Sequence, residues 1–577
     1  SGNSKLVLKG GGILPAYNLS GEWELRQAAY SFPFAVKKAP GMPSRLSFSA
    51  VLGRDATRIT SLSYVLPPLN LSATALLKYG KRPNLDFELQ TNQFMLNERL
   101  PILVDWQKYK PRGRVQAHVS ASGNPQDFSA MHYNGNISLS GFSLLPGDKF
   151  KPISNLNGVI SFKGNSVETS SISVLYGRSR VNVRGRIKNM RSPETELVLS
   201  SPQLFLEDLA IVSPVSGTSI RDMQGTFAFS DKGGRFSGFS GQFNNSRFMA
   251  SGSLSGGQTP SATLDIKSSH LDIDDLLLLL KLDYKGAGEG GEKTDLKLKL
   301  TADKGNYGKM LFEDLNASMT RDDGVFYLTS LAAGLYDGTL SASGRVAEGA
   351  GQGHRYDVDF KLQEVDAEPL FKSLDITREI QGNLELSGKL TGRGSTLQEV
   401  KQTALGNLRL NLTDGSLKKF GVLSKLFSIL NVSQLLKFQL PDMVTGGMPF
   451  DEITGTIAVR DGKGSSSDLF ISSDAINISI IGTTDIVKEE LDLTIGVQPL
   501  QTVDKIVNRI PVFGWLLTGK GDDFLTAYFE AKGAWADPQV KAVPVKSLAG
   551  GVLNVFRRAF ELPVRLFTDT GEVILGE

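Results

Sequence analysis

Four stretches of this chain share one internal measure. Leu156-Asn157-Gly158 is followed by Val181 to Gly185, Met223-Gln224-Gly225 by Phe248 to Gly252, Leu315-Asn316-Ala317 by Leu340 to Gly344, and Ile453-Thr454-Gly455 by Ile478 to Gly482; the last residues stand 27 apart in every case. After each opening triplet, apolar residues fall on alternate positions: Ile160 and Phe162, Phe227 and Phe229, Met319, Ile457 and Val459. The closing segments alternate too, as Val181 with Val183, Phe248 with Ala250, Leu340 with Ala342, and Ile478 with Ile480. Polar turns such as Asp231-Lys232-Gly233-Gly234 and Asp461-Gly462-Lys463-Gly464 lie between. Period two broken by tight turns predicts an antiparallel meander with one apolar and one wet face. About three strands fit in such a unit, too few to bury that face alone, so successive units must share it. The intervals between units, 67, 92 and 138 residues, are irregular. They predict a long sheet with inserts and not a regular solenoid.

Length and charge agree with an elongated body. At 577 residues the chain is far past the size of one compact core. Lys and Arg number 63 against 60 Asp and Glu, a balance without the long-range field that nucleic acid requires. Cysteine is absent, which excludes disulfides, thiol catalysis and thiolate metal sites but assigns no compartment. No run of apolar residues is long enough to span a bilayer as a helix. The sequence opens Ser1-Gly2-Asn3 without an initiating Met and is expected to be trimmed, so a missing signal or anchor segment carries no argument.

Four regions are expected. Residues 1–150 read as strands (Leu6 to Leu14, Gly21 to Arg26, Ser44 to Gly53, Leu71 to Tyr79, Asn84 to Leu89) joined by glycine and proline turns. Residues 151–360 hold the meanders; a short helix capped by aspartate is expected after Leu271, and a flexible loop at Gly286 to Lys293. Residues 361–540 open with a short helix at Asp366 to Leu374 and include an apolar helix over 418–440, with Phe420, Leu423, Phe427 and Leu430 on its greasy side. That helix either caps the sheet or meets lipid. A second apolar helix is expected from Val503 to Leu517, between the strands Glu490 to Val497 and Leu525 to Lys532. Residues 541–577 form an amphipathic tail in which Phe556, Arg557, Arg558 and Phe560 combine large apolar and basic side chains. Such a tail suits an anionic membrane surface, or closes the end of the sheet with its arginines in water.

Catalytic chemistry finds no constellation. His118, His132, His270 and His354 stand apart without metal spacing. Gly514 to Lys520 has the glycine and lysine of a phosphate-binding loop, but Gly521 stands where the magnesium-binding hydroxyl belongs. Asp522-Asp523 and the run Asp272, Asp274, Asp275 lack the oxygen-ligand loop of a calcium site and read as caps and turns. No serine elbow and no isolated carboxylate pair stands out, which disfavours a hydrolase acting on acyl or glycosidic bonds. What remains is an apolar face too long for one closed core. Acyl chains suit such a face, since each buried methylene contributes about 0.8 kcal/mol and needs no polar partner.

Arg378 to Val432 and Gly446 to Gly464 resemble the C-terminal region of the AsmA-like family, most closely its YhdP-type members, relatives of TamB and of bridge-like lipid transporters. The resemblance rests on Gly382, Gly388, Gly392, Gly394, Gly406, Asp414, Gly415, Phe450 and Gly455, and covers residues 360–540. It implies a mainly β protein: a long, curled, mostly antiparallel sheet forming a taco-like open groove, with a few short amphipathic helices near the C-terminal end. It also implies a periplasmic protein of the cell envelope, anchored in the inner membrane by an N-terminal helix missing here. Its function would be non-enzymatic movement of phospholipids between inner and outer membrane, with the membranes or proteins in them as partners and with no nucleic acid, metal or cofactor. The alternative is a scaffold for outer-membrane biogenesis whose apolar face is a closed core. Alternation supplies the groove candidates: Ile160, Phe162, Val181, Val183, Phe227, Phe229, Phe248, Leu340, Ile457, Val459, Ile478 and Ile480.

Overall fold

The structure, a computed structural model, describes the chain except for residues 1, 14, 33–35, 98–99, 101, 103, 128–129, 148–149, 190–191, 257–259, 281–282, 285–294, 323, 349–352, 377–379, 419–446, 475, 501–525, 549 and 569–577. Thirty strands are assigned to one hydrogen-bonded sheet, antiparallel at every described pairing, that does not close into a barrel. The chain divides into two units, Ser1–Lys267 with Asp274–Glu292, and Ser268–Ile273 with Lys293–Glu577.

Unit 1 is a meander in which neighbours in sequence are neighbours in space. Lys5–Gly11 pairs with Tyr17–Glu24, which pairs in turn with Arg45–Leu52, all antiparallel. The ladder continues through Ala56–Leu66, Leu69–Lys78 and Asn84–Thr91 to Arg112–Gly123 and His132–Leu144. It then runs through Ile153–Gly164, Ser166–Tyr176, Ser179–Lys188 and Glu194–Phe205 to Ser219–Ser230, Gly233–Phe243 and Ser246–Ser255.

The 27-residue measure has a structural basis: one β-bulge, repeated. The second strand of each copy carries one residue more than its partner, between Thr169 and Ile172, Phe236 and Phe239, Leu328 and Leu331, and Ser466 and Leu469. The same bulge also lies between Ile59 and Leu62. In all five copies the first bulge residue faces a residue 16 positions on: Ala75, Gly185, Gly252, Gly344 and Gly482. A fifth copy therefore precedes the four expected, with Phe48 and Ala75 where the copy around Thr169 has Gly158 and Gly185. A bulge bends its strand and increases local twist, so the same bend recurs once per copy. Gly158 and Gly185 have φ of +154°, and a Cβ on Gly185 would lie 2.1 Å from the Glu196 carbonyl oxygen. Only glycine fits that approach.

Short helices follow the fourth strand of several copies, at one edge of the sheet. A 3-10 turn, Leu206–Leu209, follows Glu194–Phe205; α1, Ile273–Leu280, follows Ser261–Asp272; α2, Ala367–Ser373, follows His354–Asp366. Among the described residues three of the four α-helices lie within residues 367–568, and α1 lies earlier. Two of the short helices are tied to hairpin turns by the same device. Asp208 accepts from the backbone N–H groups of Arg178 and Ser179 and from Ser179 Oγ at 2.7 to 3.0 Å. Asp275, 29 residues after Ser246 as Asp208 is after Ser179, accepts from Asn245 N, Ser246 N and Ser246 Oγ at 2.8 to 3.0 Å. Both carboxylates are buried, and these donors replace the water each has lost. Across from α2 the corresponding pair is Ala367 and Gly338, and there Asp366 caps the helix by accepting from Glu368 N.

Unit 2 runs antiparallel from Asp295–Tyr307 through Met310–Asp322, Val325–Leu335, Gly338–Glu348, His354–Asp366, Ile380–Gly394 and Leu405–Leu417. It continues through Met448–Arg460, Lys463–Ser472, Ile476–Asp485, Glu490–Pro499, Ala527–Ala534 and Gln539–Ala542. α3, Leu397–Gln402, lies in one connection, its N-terminus capped by Thr396 Oγ1. The helix expected over 418–440, that over 503–517 and the loop at Gly286 to Lys293 lie outside the described residues. The last helix, α4 (Gly550–Thr568), packs Phe556 and Phe560 on Tyr528, Phe470 and Ile481.

Candidate functional site

The register of unit 1 assembles a continuous apolar row. Residues opposite one another in an antiparallel ladder share a face, so a row can be followed from strand to strand. Leu8, Gly21, Phe48, Leu62, Ala73, Leu89 and Val119 are successive partners. Gly135, Phe162, Val167, Ile187, Thr195, Phe229, Gly234 and Leu254 continue them. At about 4.8 Å per strand, this row is roughly 65 Å long within one unit. The adjacent row on the opposite face, Thr74, Glu88, Ser120, Asn134, Lys163, Ser166, Lys188 and Glu194, is polar throughout.

The apolar row is not a closed core. Leu8, Phe229 and Leu254 are 54%, 51% and 56% exposed, and the other large side chains of the row are half-buried. Burial concentrates at the helix-bearing edge, where Leu66, Leu69, Phe94 and Leu96 form a cluster and Leu204, Leu206 and Phe243 are buried near the helices. The helix-bearing margin of the face is covered; toward the opposite margin Phe229 and Leu254 are exposed, while Ala121 and Met131 are buried.

Phenylalanines pave much of this face. Phe227, Phe236, Phe239 and Phe248 contact one another with ring centroids 5.5 to 6.3 Å apart, mostly tilted or edge to face. Several rings lie over a glycine of a neighbouring strand: a Cβ on Gly234 would meet Phe229 Cδ1 at 3.0 Å, and one on Gly252 would meet Phe236 Cε1 at 2.8 Å.

Unit 2 carries a similar row. Leu300, Ala317, Leu331, Ala342, Phe360, Gly388, Leu408 and Ile457 are successive partners. Toward its helix-bearing edge the face closes. Val365, Leu384, Leu412, Ile453, Ile471, Ile478, Val497 and Ala527 form a row buried throughout, joined by Ala367 and Leu370 of α2.

The expected groove residues therefore fall into different surroundings. Ile160, Phe162, Val181, Val183, Phe227 and Phe248 are half-buried on the apolar face of unit 1, and Phe229 is its most exposed member among them. Ile457 is half-buried, and Leu340 and Ile480 pack partly buried against the closed cluster. Val459 is buried, and Ile478 is 0% exposed inside that cluster. Phe420, Leu423, Phe427 and Leu430 lie outside the described residues. Phe556 and Phe560 turn into the sheet: Phe556 is 0% exposed, its ring 5.2 Å from that of Tyr528, and Gly496 beneath it leaves the room. Arg557 and Arg558 are exposed. Alternation alone missed Phe48, Leu62, Leu89, Val119, Ile187 and Leu254, whose membership of the row depends on register.

Among the described residues no group of three potential ligands could hold a metal ion, and no helix is long and apolar enough to cross a membrane. His118 Nε2 lies 2.8 Å from Glu88 Oε1 on the polar face. The aspartates weighed as calcium ligands include Asp275, which is occupied with the hairpin donors.

A family model described as YhdP protein matches residues 177–540, more than half of the chain. The chain belongs to the YhdP family. Membership reaches well beyond the stretch that carried the resemblance and takes in three of the five bulged copies whole. YhdP proteins are envelope-associated and not known as enzymes, and membership suggests a role related to lipid transport. No curated protein and no solved structure matches this chain.

Proposed function

We propose that this chain is a non-enzymatic carrier of phospholipids. Acyl chains lie along the apolar face, while head groups stay in water at the margin opposite the helices. In the cell it would act in the periplasm, between the inner and outer membranes or proteins in them. The observation that carries the reading is the row from Leu8 to Leu254: apolar or small on fourteen of fifteen successive strands, Thr195 being the exception, backed by a polar row on eight of them, and exposed at Leu8, Phe229 and Leu254. A sandwich core would bury such residues; an exposed apolar strip of this length serves binding. YhdP membership supports the same reading. Val459 and Ile478, being buried, are set aside as lining residues; Phe162, Phe227, Phe229 and Phe248 are retained.

A photo-crosslinking amino acid at Phe162 or Phe229 is expected to capture phospholipid from cells, whereas the same group at Ser120 or Lys163 on the reverse face captures none. Adducts at neither pair, or at both equally, would sink the proposal. The scaffold reading draws on one observation, the closed cluster around Ile478 in unit 2. It predicts normal assembly of the outer membrane by variants that no longer hold lipid.

A further inference from the structure

The glycines of the apolar row stand out, because glycine in a strand loses packing and costs stability, and a sheet has no general use for it. Gly135 is required by its backbone, with φ of +122° and the His118 carbonyl oxygen 2.1 Å from where a Cβ would lie, but Gly21 and Gly234 sit under rings. A Cβ on Gly21 would lie 2.5 and 2.7 Å from Phe48 Cε1 and Cζ and 2.9 Å from Leu8 Cδ2. At the other end of the same row, a Cβ on Gly234 would meet Phe229 Cδ1 and Cε1 at 3.0 and 3.2 Å. In unit 2, one on Gly388 would meet Leu408 Cδ2 at 2.4 Å and Phe360 Cε1 at 3.2 Å. At Gly21 the three nearest atoms are all side-chain atoms, and at Gly234 the two nearest are. Neither glycine has a positive φ, so a side chain there is resisted by the rings and not by the backbone. The backbone asks for no glycine at these places; the face does.

We infer that Gly21 and Gly234 are specificity determinants of the track: they let Phe48 and Phe229 lie down on the neighbouring strand, so that the face is flat enough for an unbranched acyl chain to lie across successive strands. A ring laid over glycine covers the bare backbone and recovers part of the lost packing. It also lowers the relief of the face, since a ring standing on a Cβ would project into the space an alkyl chain occupies. The inference rests on the lipid-carrying reading above.

The test compares lipid retained by Gly234→Val, by Gly21→Val and by the unaltered chain. Each is incubated with vesicles of phosphatidylethanolamine and phosphatidylglycerol, repurified and weighed by native mass spectrometry. Both variants are expected to retain lipid about tenfold less well, the change corresponding to 1.4 kcal/mol, with circular dichroism melts unchanged. Phe229→Ala added to Gly234→Val removes the lifted ring and is expected to restore most of the retention, a rescue that a merely weakened strand would not show. If Gly234→Val alone misfolds, Gly21→Val carries the comparison at the opposite end of the row, with Phe48→Ala as its rescue. A loaded parent chain with equally loaded valine variants overturns the role of the glycines and leaves the carrier reading intact. A parent chain that acquires no lipid overturns both.

Discussion

Lys38 shows how far a single side chain can be committed to structure. It is only 2% exposed, and the three N–H donors of its ammonium group are shared among the carbonyl oxygens of Leu25, Arg26, Ala28 and Ala39 at 2.8 to 3.0 Å. Burial lowers its pKa, and the four carbonyls stand in for the water it has lost. Lys38→Met keeps the stem but leaves those acceptors without this donor, and is expected to destabilise residues 17–52 by about 3 kcal/mol, read by hydrogen exchange. A second residue gives a pH-dependent effect. Burial first, and then the carboxylates of Asp474 and Asp414, hold Asp451 above the usual carboxylate range. An acid whose folded pKa is raised contributes stability below its unfolded value, and that contribution is lost as pH rises through the folded one. Asp451→Asn should therefore slow exchange in Met448–Arg460 at pH 7 and change little near pH 3. An equal effect at both pH values would refute the assignment.

Among the elements, the helix-to-hairpin ties make the clearest prediction. Asp275→Ala removes the buried carboxylate that accepts from Asn245 N, Ser246 N and Ser246 Oγ and is expected to cost about 2 to 4 kcal/mol at the turn, against about 1 kcal/mol for Ser246→Ala, both measured as faster exchange in the Phe243–Ser246 hairpin. If the two losses are equal, the carboxylate is not the centre of the tie. The same scale explains what could be read from the sequence. Alternation and turn residues identified the meander, the sheet class and four copies of the repeat, because those signals are local. The strand Ala56–Leu66 escaped because its bulge puts two polar residues, Thr60 and Ser61, where strict alternation allows one, so the period slips midway. Its copy escaped with it, since Phe48 stands where the others open on glycine or alanine and Ala75 where they all close on glycine. Which residues of the face are accessible was not legible at all. Phe229 and Ile478 have the same periodic setting, and only long-range packing leaves one half-exposed and encloses the other.

At the scale of the whole molecule that contrast becomes an experiment. Phe229→Glu places a charge where water already reaches and is expected to cost less than about 1 kcal/mol, while emptying the face of lipid. Ile478→Glu buries an unpaired charge in a closed cluster and should cost several kcal/mol, exposing the strands Ile476–Asp485 and Glu490–Pro499 to protease. Lipid loss with an intact fold for the first, and unfolding for the second, would separate an open track from a sealed core within one chain.

The apolar row also carries a mechanical consequence. It crosses the strands, so it runs in the direction of the backbone hydrogen bonds that join them. Tension applied along it, between Leu8 and Leu254, would not shear many bonds at once. It would load one ladder at a time and open it like a zipper, so unit 1 is compliant along the same axis in which its apolar row is continuous.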